Sequence, residues 1–251
     1  MIIIKSDSEI EMMKVPAKLT AEIMRDLEGF IKPGISTHDI DKFIEQRILK
    51  GGMKPAFKGY GDFPASACVS PNQVVVHGIP SKRIILQEGD IVSVDAGAIY
   101  KGWYSDMART YPVGKISEDA ERLIRVTRES FFEGLKYCRP GNYLSDVSHA
   151  IQERAEYDGF GVIRDYVGHG VGQNLHEQPE VPNYGRPGRG PKLKKGMVIA
   201  IEPMISMGTY EVEVLDDEWT AVTTDGKYAA HYENTVVITD GEPEVITLLE
   251  E

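Results

Sequence analysis

Four acidic residues lie within short apolar runs whose β-branched and aromatic composition predicts buried strands. The acids and their runs are Asp95 in 91–100, Asp106 in 103–111, Glu202 in 197–203 and Glu233 in 231–238. A single acid in such a run is most simply an exposed strand residue or half of a salt bridge. Burying an ionised carboxylate without a partner is so costly that the group normally binds a proton or pairs with a cation. Four of them together favour a shared cationic partner.

The first two runs flank Lys101 and Gly102, which together predict a tight two-residue turn. In a hairpin with such a turn, Asp95 and Asp106 fall on the same face of the strand pair, as opposite or diagonal neighbours. Both carboxylates are then placed to bind the same cations.

A fifth metal-binding side chain, His169, lies in a segment rich in glycine, Gly168-His-Gly-Val-Gly172. Glycines allow backbone and imidazole to approach a site closely. Four carboxylates and one imidazole form an oxygen-rich donor set, unlike the cysteine-rich sites of structural zinc, and bridging carboxylates suit two divalent ions. We therefore expect two ions of cobalt, manganese, iron(II), zinc or nickel, and hydrolysis as the reaction class, because such ions activate water.

Length and composition narrow the class of protein further. A chain of 251 residues is long enough for one large domain with a substantial core. The net charge of -11, without a long basic run, argues against direct binding of nucleic acid. The two cysteines and an N-terminus that soon becomes charged predict a cytoplasmic location. No apolar stretch approaches the ~20 residues of a membrane span, so we expect no membrane partner. The sequence does not fix the oligomeric state, and a monomer is the default expectation.

Two segments of the chain recur after 107 positions. Pro33-Gly34 precedes one helical pattern and Pro140-Gly141 precedes another, while the strand that ends at Asp95 matches the strand that ends at Glu202. A helix and a strand that keep one displacement predict two related halves, roughly 1–115 and 116–251, of a single catalytic domain.

Apolar spacing predicts a pair of helices in each half, followed by strands. The predicted helices span 8–29, 37–50, 117–137 and 145–157, with Ser36-Thr37 as a cap for the second. The fold class that we predict is α+β, with a curved, mainly antiparallel sheet and helices on its outer face. The halves then meet at an approximate two-fold axis.

Several motifs, in order and spacing, resemble the bacterial-type type I methionine aminopeptidases, a peptidase family with the pita-bread fold. The motifs are His77-Gly-Ile-Pro, Gly89-Asp-Ile-Val-Ser-Val-Asp95, Ser105-Asp106, Gly168-His169-Gly-Val-Gly, Leu175-His176-Glu, Ala200-Ile-Glu202-Pro, Trp219-Thr and Tyr232-Glu233-Asn-Thr. The resemblance covers nearly the whole chain and implies removal of an initiator methionine from nascent proteins and peptides when the second residue is small. Docking to the ribosome is left open.

The resemblance also implies roles for individual residues. The implied ligands of a two-metal centre are Asp95, Asp106, His169, Glu202 and Glu233, with Asp106 and Glu233 bridging. Glu202 would also exchange a proton with the attacking water. His77 and His176 would contact the scissile amide and stabilise the tetrahedral intermediate, as donors aimed at a developing oxyanion do.

Matching positions in relatives line the pocket for the methionine side chain. Here they are occupied by Tyr60, Phe63, Cys68, His77, His176 and Trp219. The aromatic residues suit a thioether, because sulfur packs favourably on aromatic rings. Three positions depart from the pattern of many relatives: Phe57, Leu175 and His231. The departures concern the shape of the pocket, and His231 either supports a metal ligand or only packs.

Three alternatives remain at this point. Proline-specific peptidases share the fold and the ligand set, but usually carry an additional N-terminal domain. A non-catalytic binding protein of the same fold would be expected to have lost ligands. A two-metal phosphatase would be expected to carry a phosphate-binding glycine loop or an arginine cluster, and the sequence has neither.

Overall fold

The computed structural model describes residues 1–249 of the chain. Its helices are α1 Asp7–Phe30, α2 Thr37–Lys50, α3 Glu118–Leu135 and α4 Leu144–Tyr157, with a short 3-10 turn at Tyr60–Asp62. The four predicted helices are thus confirmed, with ends that shift by one or two residues. Within residues 1–249, none of the helices is both long and apolar enough to cross a bilayer.

The strands are short and pair in antiparallel fashion. In chain order they are β1 Lys54–Pro55, β2 Ala67–Pro71, β3 Val74–Val76, β4 Ile91–Ala96, β5 Ala98–Tyr100, β6 Trp103–Tyr104, β7 Met107–Pro112, β8 Gly161–Val162, β9 Gly168–Gly170, β10 Glu177–Val181, β11 Val198–Ile201, β12 Met204–Ser206, β13 Val212–Val214, β14 Ala221–Thr223, β15 Ala229–His231, β16 Asn234–Val237 and β17 Glu244–Val245. They form the ladders β1-β5-β6, β2-β4-β7, β13-β14-β3, β15-β12-β8 and β10-β9-β11-β16-β17. The α+β class is therefore confirmed.

Side-chain caps determine where the helices begin. The Ser36 hydroxyl accepts from the Asp39 N–H at 3.2 Å, and the Asp39 carboxylate accepts from the Ser36 N–H at 2.8 Å, which together form a capping box for α2. Helix α4 begins one residue earlier than predicted, because Asp146 accepts from the Tyr143 N–H at 2.8 Å. The Ser145 hydroxyl, the predicted start, instead accepts from the Arg189 N–H at 2.7 Å and holds a loop.

The displacement of 107 positions recurs in backbone hydrogen bonds. The Gly34 N–H donates to the Leu86 carbonyl at 2.8 Å, and the Gly141 N–H donates to the Leu193 carbonyl at 3.0 Å. Helices α2 and α4 share the same displacement at both ends, from 37 to 144 and from 50 to 157. The boundary between the proposed halves at 115 and 116 stays a prediction.

Strand β7, which follows Asp106, runs beside residues 231–235, which include Glu233 between β15 and β16. The Glu233 N–H donates to the Ala108 carbonyl at 2.9 Å. On either side, the Thr110 hydroxyl donates to the His231 carbonyl and the Thr235 hydroxyl donates to the Asp106 carbonyl, both at 2.9 Å. These bonds fix Asp106 next to Glu233, although the two residues lie far apart in the sequence.

Each helix pair covers one part of the sheet with apolar side chains. Helices α1 and α2 contribute Leu27 and Ile44 to a core with Val92 and Val94 of β4. Helices α3 and α4 contribute Phe131 and Ile151 to a second core that includes strands β11 and β16. The strands next to the acids are thus packed against the helices through apolar side chains.

Candidate metal centre

A cavity of about 190 Å³ is lined by side chains from two parts of the chain, residues 57–106 and residues 166–233. Its lining residues are Phe57, Tyr60, Phe63, Cys68, Val76, His77, Asp95, Asp106, Tyr166, Val167, His169, Leu175, His176, Glu202, Trp219, His231 and Glu233. Every residue that the sequence indicated as a ligand, a catalytic group or a pocket wall is among them. The fold thus brings the whole predicted set to one place.

The hairpin register places the first two acids. Asp95 of β4 pairs with Ala108 of β7, so Asp106 is its diagonal neighbour on the same face, as the turn at Lys101 and Gly102 predicted. The turn joins Tyr100 to Trp103 in the same register. Both turn residues have positive φ, 47° at Lys101 and 85° at Gly102, which is typical of a two-residue hairpin turn.

The other two acids lie at the ends of one strand pair. Ile201 of β11 pairs with Asn234 of β16, so Glu202 follows one strand directly and Glu233 precedes the other. Arg109 donates from its guanidinium to the Glu233 carbonyl at 2.6 Å and to the Asn234 side chain at 2.7 Å. The sequence did not indicate this positioning role, because Arg109 and its partners are more than 120 positions apart.

His169 faces the acids from β9. Its Nδ1–H donates to the Gly170 carbonyl at 2.9 Å, which leaves Nε2 as the free nitrogen. That Nε2 lies 3.5 Å from Asp106 Oδ2 and 3.5 Å from Glu202 Oε1. Burial lowers the pKa of the His169 imidazole to about 3, so the ring is neutral at pH 7, as a metal ligand must be.

Several polar atoms in this cluster lack a hydrogen-bond partner within residues 1–249. They include Asp95 Oδ1, Asp106 Oδ1, Glu233 Oε1 and His231 Nε2. Burial raises the pKa of Asp95 to about 7 and that of Glu202 to about 8. Burial, and then the neighbouring acids, raise the pKa values of Asp106 and Glu233 well above their usual range. Buried polar atoms are normally paired, so such a cluster is unfavourable by itself.

Divalent cations fit this donor set. One ligand atom each of Asp106, His169 and Glu233 lie within 4.8 Å of one another, a spacing that one ion can bridge. Asp95 and Glu202 add further oxygens at the same cavity. Cations would pair the buried carboxylates and so offset the burial and the mutual repulsion that raise their pKa values. The site therefore suits hard or borderline divalent metals.

His77 enters the cavity from a sharp turn after β3. Its φ of 59° is unusual for a residue with a side chain and is often found at functional sites. The turn is tight, because a Cβ on Gly78 would lie 2.4 Å from the Val69 carbonyl oxygen. The imidazole packs edge-on against Tyr166 and Trp219, with ring centroids 5.2 and 6.0 Å away. Burial lowers its pKa to about 4.

His176 lies beside the cluster, and the centroid of its ring is 4.3 Å from the centroid of the His169 ring. Its Nδ1 forms a hydrogen bond of 2.7 Å with the Tyr60 hydroxyl. Burial raises the pKa of Tyr60 and lowers that of His176. At pH 7 the phenol thus keeps its proton, and the imidazole is held in one orientation.

Apolar side chains form the rest of the cavity wall. Phe63 and Trp219 pack edge-to-face with centroids 5.1 Å apart. Phe57, Cys68 and Leu175 are buried around Phe63 in one cluster. Burial raises the pKa of the Cys68 thiol well above its usual range, so the thiol is an apolar wall.

His231 is buried, and its Nε2 lies 3.5 Å from Glu202 Oε2, whereas His169 approaches the other carboxylate oxygen of Glu202, Oε1. Three lining residues were not indicated by the sequence: Val76, Tyr166 and Val167. Tyr166 and Val167 immediately precede the glycine-rich segment 168–172, which is the one signal that could have found them. Nothing distinguishes Val76 from ordinary strand residues.

Comparisons with known proteins agree with this fold. The model of metallopeptidase family M24 matches residues 11–240. The methionine aminopeptidase of Clostridium acetobutylicum is 58% identical over 250 residues, which is 100% of both chains. The structure of the methionine aminopeptidase of Thermotoga maritima superposes with a TM-score of 0.97 at 51% identity, over 99% of this chain and 100% of that one.

A proline-specific relative is more distant. The prolidase of Pyrococcus furiosus superposes with a TM-score of 0.77 at 25% identity, over 99% of this chain but 66% of the prolidase. The comparisons place the pita-bread fold in this chain and confirm the resemblance that the motifs predicted. The chain belongs to metallopeptidase family M24, whose members are metal-dependent hydrolases.

Proposed function

We propose that this chain is a methionine aminopeptidase, which removes an N-terminal methionine from peptides and nascent polypeptides when the second residue is small. The observation that carries the proposal is the cavity itself. It combines a buried cluster of metal-binding side chains with two neutral imidazoles and an apolar aromatic wall. The two relatives compared above over the full chain bear the same name.

We propose that Asp95, Asp106, His169, Glu202 and Glu233 would hold two divalent cations. The orphaned oxygens of three of these acids support the assignment. Cobalt, manganese, iron(II), zinc and nickel all suit the donor set. Cations held there would supply Lewis-acid polarisation of the scissile carbonyl and a lowered pKa of the attacking water, so that hydroxide is available near neutral pH.

The chain's own residues then move the protons and bind the oxyanion. Once bound cations keep its carboxylate ionised, Glu202 lies in the cavity where it can take a proton from the attacking water and return it to the leaving amine. In the tautomer of His176 whose Nδ1 accepts from the Tyr60 hydroxyl, the ring proton is on Nε2, where it can be donated to the scissile amide. His77 supplies the second imidazole. Hydrogen bonds to the developing oxyanion are worth about 3 kcal/mol each.

The apolar wall accounts for the choice of methionine. At about 190 Å³, the cavity is smaller than the roughly 300–1,000 Å³ of pockets for drug-sized ligands. It therefore suits one side chain next to the scissile bond. Tyr60, Phe63, Cys68 and Trp219 offer aromatic and thiol surfaces on which a thioether packs well.

Hydrolysis of peptides by metal-free protein, before and after addition of Mn(II) or Co(II), tests this function. Met-Ala-Ser, Met-Leu-Ser, an Ala-Pro peptide and a phosphoester form the panel. We expect metal-dependent release of methionine from Met-Ala-Ser and little from Met-Leu-Ser, whose second residue is bulky. Metal-dependent cleavage before proline would instead indicate a proline-specific peptidase. No turnover of any substrate by metal-loaded protein would indicate a binding role.

We further propose that the chain acts in the cytoplasm as a monomer, with nascent polypeptides among its substrates. The two cysteines are free and buried, which suits a reducing compartment. The negative charge of the chain supports the absence of direct contact with nucleic acid.

A further inference from the structure

A buried ion pair joins the N-terminal segment to the loop that carries His176. Lys5 Nζ lies 2.5 Å from Glu177 Oε2, and the two side chains are 2% and 4% exposed. The same ammonium donates to the Ile3 carbonyl at 3.2 Å. Charged groups are rarely buried this completely unless they are paired, so this contact differs in kind from an exposed surface pair.

The other carboxylate oxygen of Glu177 closes the turn before it. Glu177 Oε1 accepts from the Gln173 N–H at 3.0 Å and from the Asn174 N–H at 3.3 Å. The turn therefore folds around the Glu177 side chain, and the orientation of that side chain is set by Lys5. His176 is the residue directly before Glu177.

The absence of a side chain at Gly172 leaves room for the contact between Lys5 and Glu177. A Cβ on Gly172 would lie 2.6 Å from Lys5 Cε and 2.6 Å from Glu177 Oε1. The backbone of the N-terminal segment is held as well, since the Lys5 N–H donates to the Gly196 carbonyl at 2.8 Å. The N-terminal segment is thus held by the backbone of Lys5 at Gly196 and by its side chain at Glu177. The Lys5 ammonium therefore lies next to the carboxylate that closes the turn at 173–174.

We propose that Lys5 is a positioning residue, which acts through Glu177 to hold the backbone of His176 in place for the reaction. Tyr60 orients the imidazole ring of His176 through its hydroxyl, whereas Lys5 and Glu177 fix the chain from which that ring extends. Because the two supports act on different parts of His176, neither can replace the other. The catalytic consequence rests on the function proposed above.

The substitution Lys5→Met tests the proposal, because methionine retains much of the side-chain volume and removes the charge. An unpaired carboxylate at Glu177 would be drawn towards water, and the turn would move with it. We expect kcat for Met-Ala-Ser to fall by at least about tenfold, as for a misplaced oxyanion donor. KM should change by less than about threefold and Mn(II) affinity should not change, because Lys5 is not among the residues that line the cavity.

Hydrogen exchange provides a readout that does not depend on activity. In Lys5→Met, the amides of Gln173 and Asn174 should exchange faster, while those of the helix cores keep the wild-type rate. The matched control is Lys14→Met, which removes a lysine of the same region whose partners Glu11 and Glu244 are half-exposed or exposed. That variant should keep the wild-type kcat and exchange rates.

The double variant K5M/E177Q separates positioning from loss of stability. The glutamine that replaces Glu177 retains a carbonyl oxygen for the two amide protons, and no buried charge is left without a partner. We expect kcat and exchange protection to return to within about threefold of wild type. If Lys5→Met does not fold, the same comparison is made between the double variant and Glu177→Gln, which leaves the ammonium unpaired and should be the slower enzyme.

Wild-type kcat and exchange rates in Lys5→Met, or in Glu177→Gln if that variant replaces it, would overturn the proposal. A decrease in kcat that the double variant does not recover would also count against it, because loss of packing alone would then explain the effect. If the wild-type protein releases no methionine, the proposed function fails. The exchange comparison still tests in that case whether Lys5 closes the turn.

Discussion

Binding of divalent metal to the metal-free protein at pH 7 should release protons into solution. Asp95, with a pKa of about 7, is half protonated at that pH, and Glu202, with a pKa of about 8, is mostly protonated. The pKa values of Asp106 and Glu233 lie well above their usual range. These carboxyl groups must ionise to bind cations. We therefore expect roughly one to three protons to be released per protein molecule when its metal centre is filled.

Titration calorimetry measures this number. Mn(II) is added at pH 7 in two buffers with different ionisation enthalpies, and the difference in heat gives the protons released. Glu202→Gln removes one of the protonated groups and should lower the number by up to one. Carboxyl groups with ordinary pKa values near 4 would release almost no protons at pH 7. A result near zero would therefore refute the account of a repulsive buried cluster.

The same pKa values determine how the stability of the metal-free protein depends on pH. A carboxyl group whose pKa is raised by folding stabilises the folded chain fully below its unfolded pKa of about 4. This contribution is lost as the pH rises to about 7 for Asp95 and about 8 for Glu202. The contribution of each group to the free energy of unfolding is on the order of a few kcal/mol. Urea midpoints should thus fall from pH 6.5 to 8.5, and Mn(II) should reverse the fall.

Two substitutions separate binding of the substrate from its chemistry. His176→Ala removes a proposed oxyanion donor and should lower kcat by about 10²- to 10³-fold with Mn(II) affinity unchanged; a parallel loss of metal would instead make His176 a ligand. Trp219→Ala removes a wall of the apolar cavity and should raise KM for Met-Ala-Ser by about tenfold, with a smaller change in kcat. An unchanged KM would place the methionine side chain elsewhere.

Local patterns predicted the parts of the fold that are determined by neighbours in the sequence. The hairpin at Lys101 and Gly102 is confirmed, and with it the diagonal placement of Asp95 and Asp106. Ser36 was predicted as a cap, and it caps α2. Each of these features depends on turn geometry or capping within a few residues, where sequence patterns are informative.

Features that depend on distant partners could not be predicted in the same way. Thr110 bonds to His231 across 121 positions, and Lys5 pairs with Glu177 across 172. Nothing in either local sequence indicates its partner, because only the packed sheet brings them together. The packing of Tyr166 against His77 in the cavity wall likewise depends on segments that are distant in the sequence.

The candidate site was predictable because its chemistry conflicts with its surroundings. Burying an acid in an apolar strand is costly, so the four acids are informative together, although any one of them alone could be an exposed strand residue. The family and the fold that the motifs indicated are confirmed. The roles assigned to individual residues stay predictions, since they concern cations and substrate.

Anomalous diffraction from crystals grown with Mn(II) tests the central claim most directly. The account predicts two anomalous peaks in the cavity, both in contact with Asp106 and Glu233, with His169, Asp95 and Glu202 completing the ligands. One peak would retain the site but remove the second ion. No peak in the cavity at saturating Mn(II) would contradict the claim that this buried acidic cluster exists to bind metal.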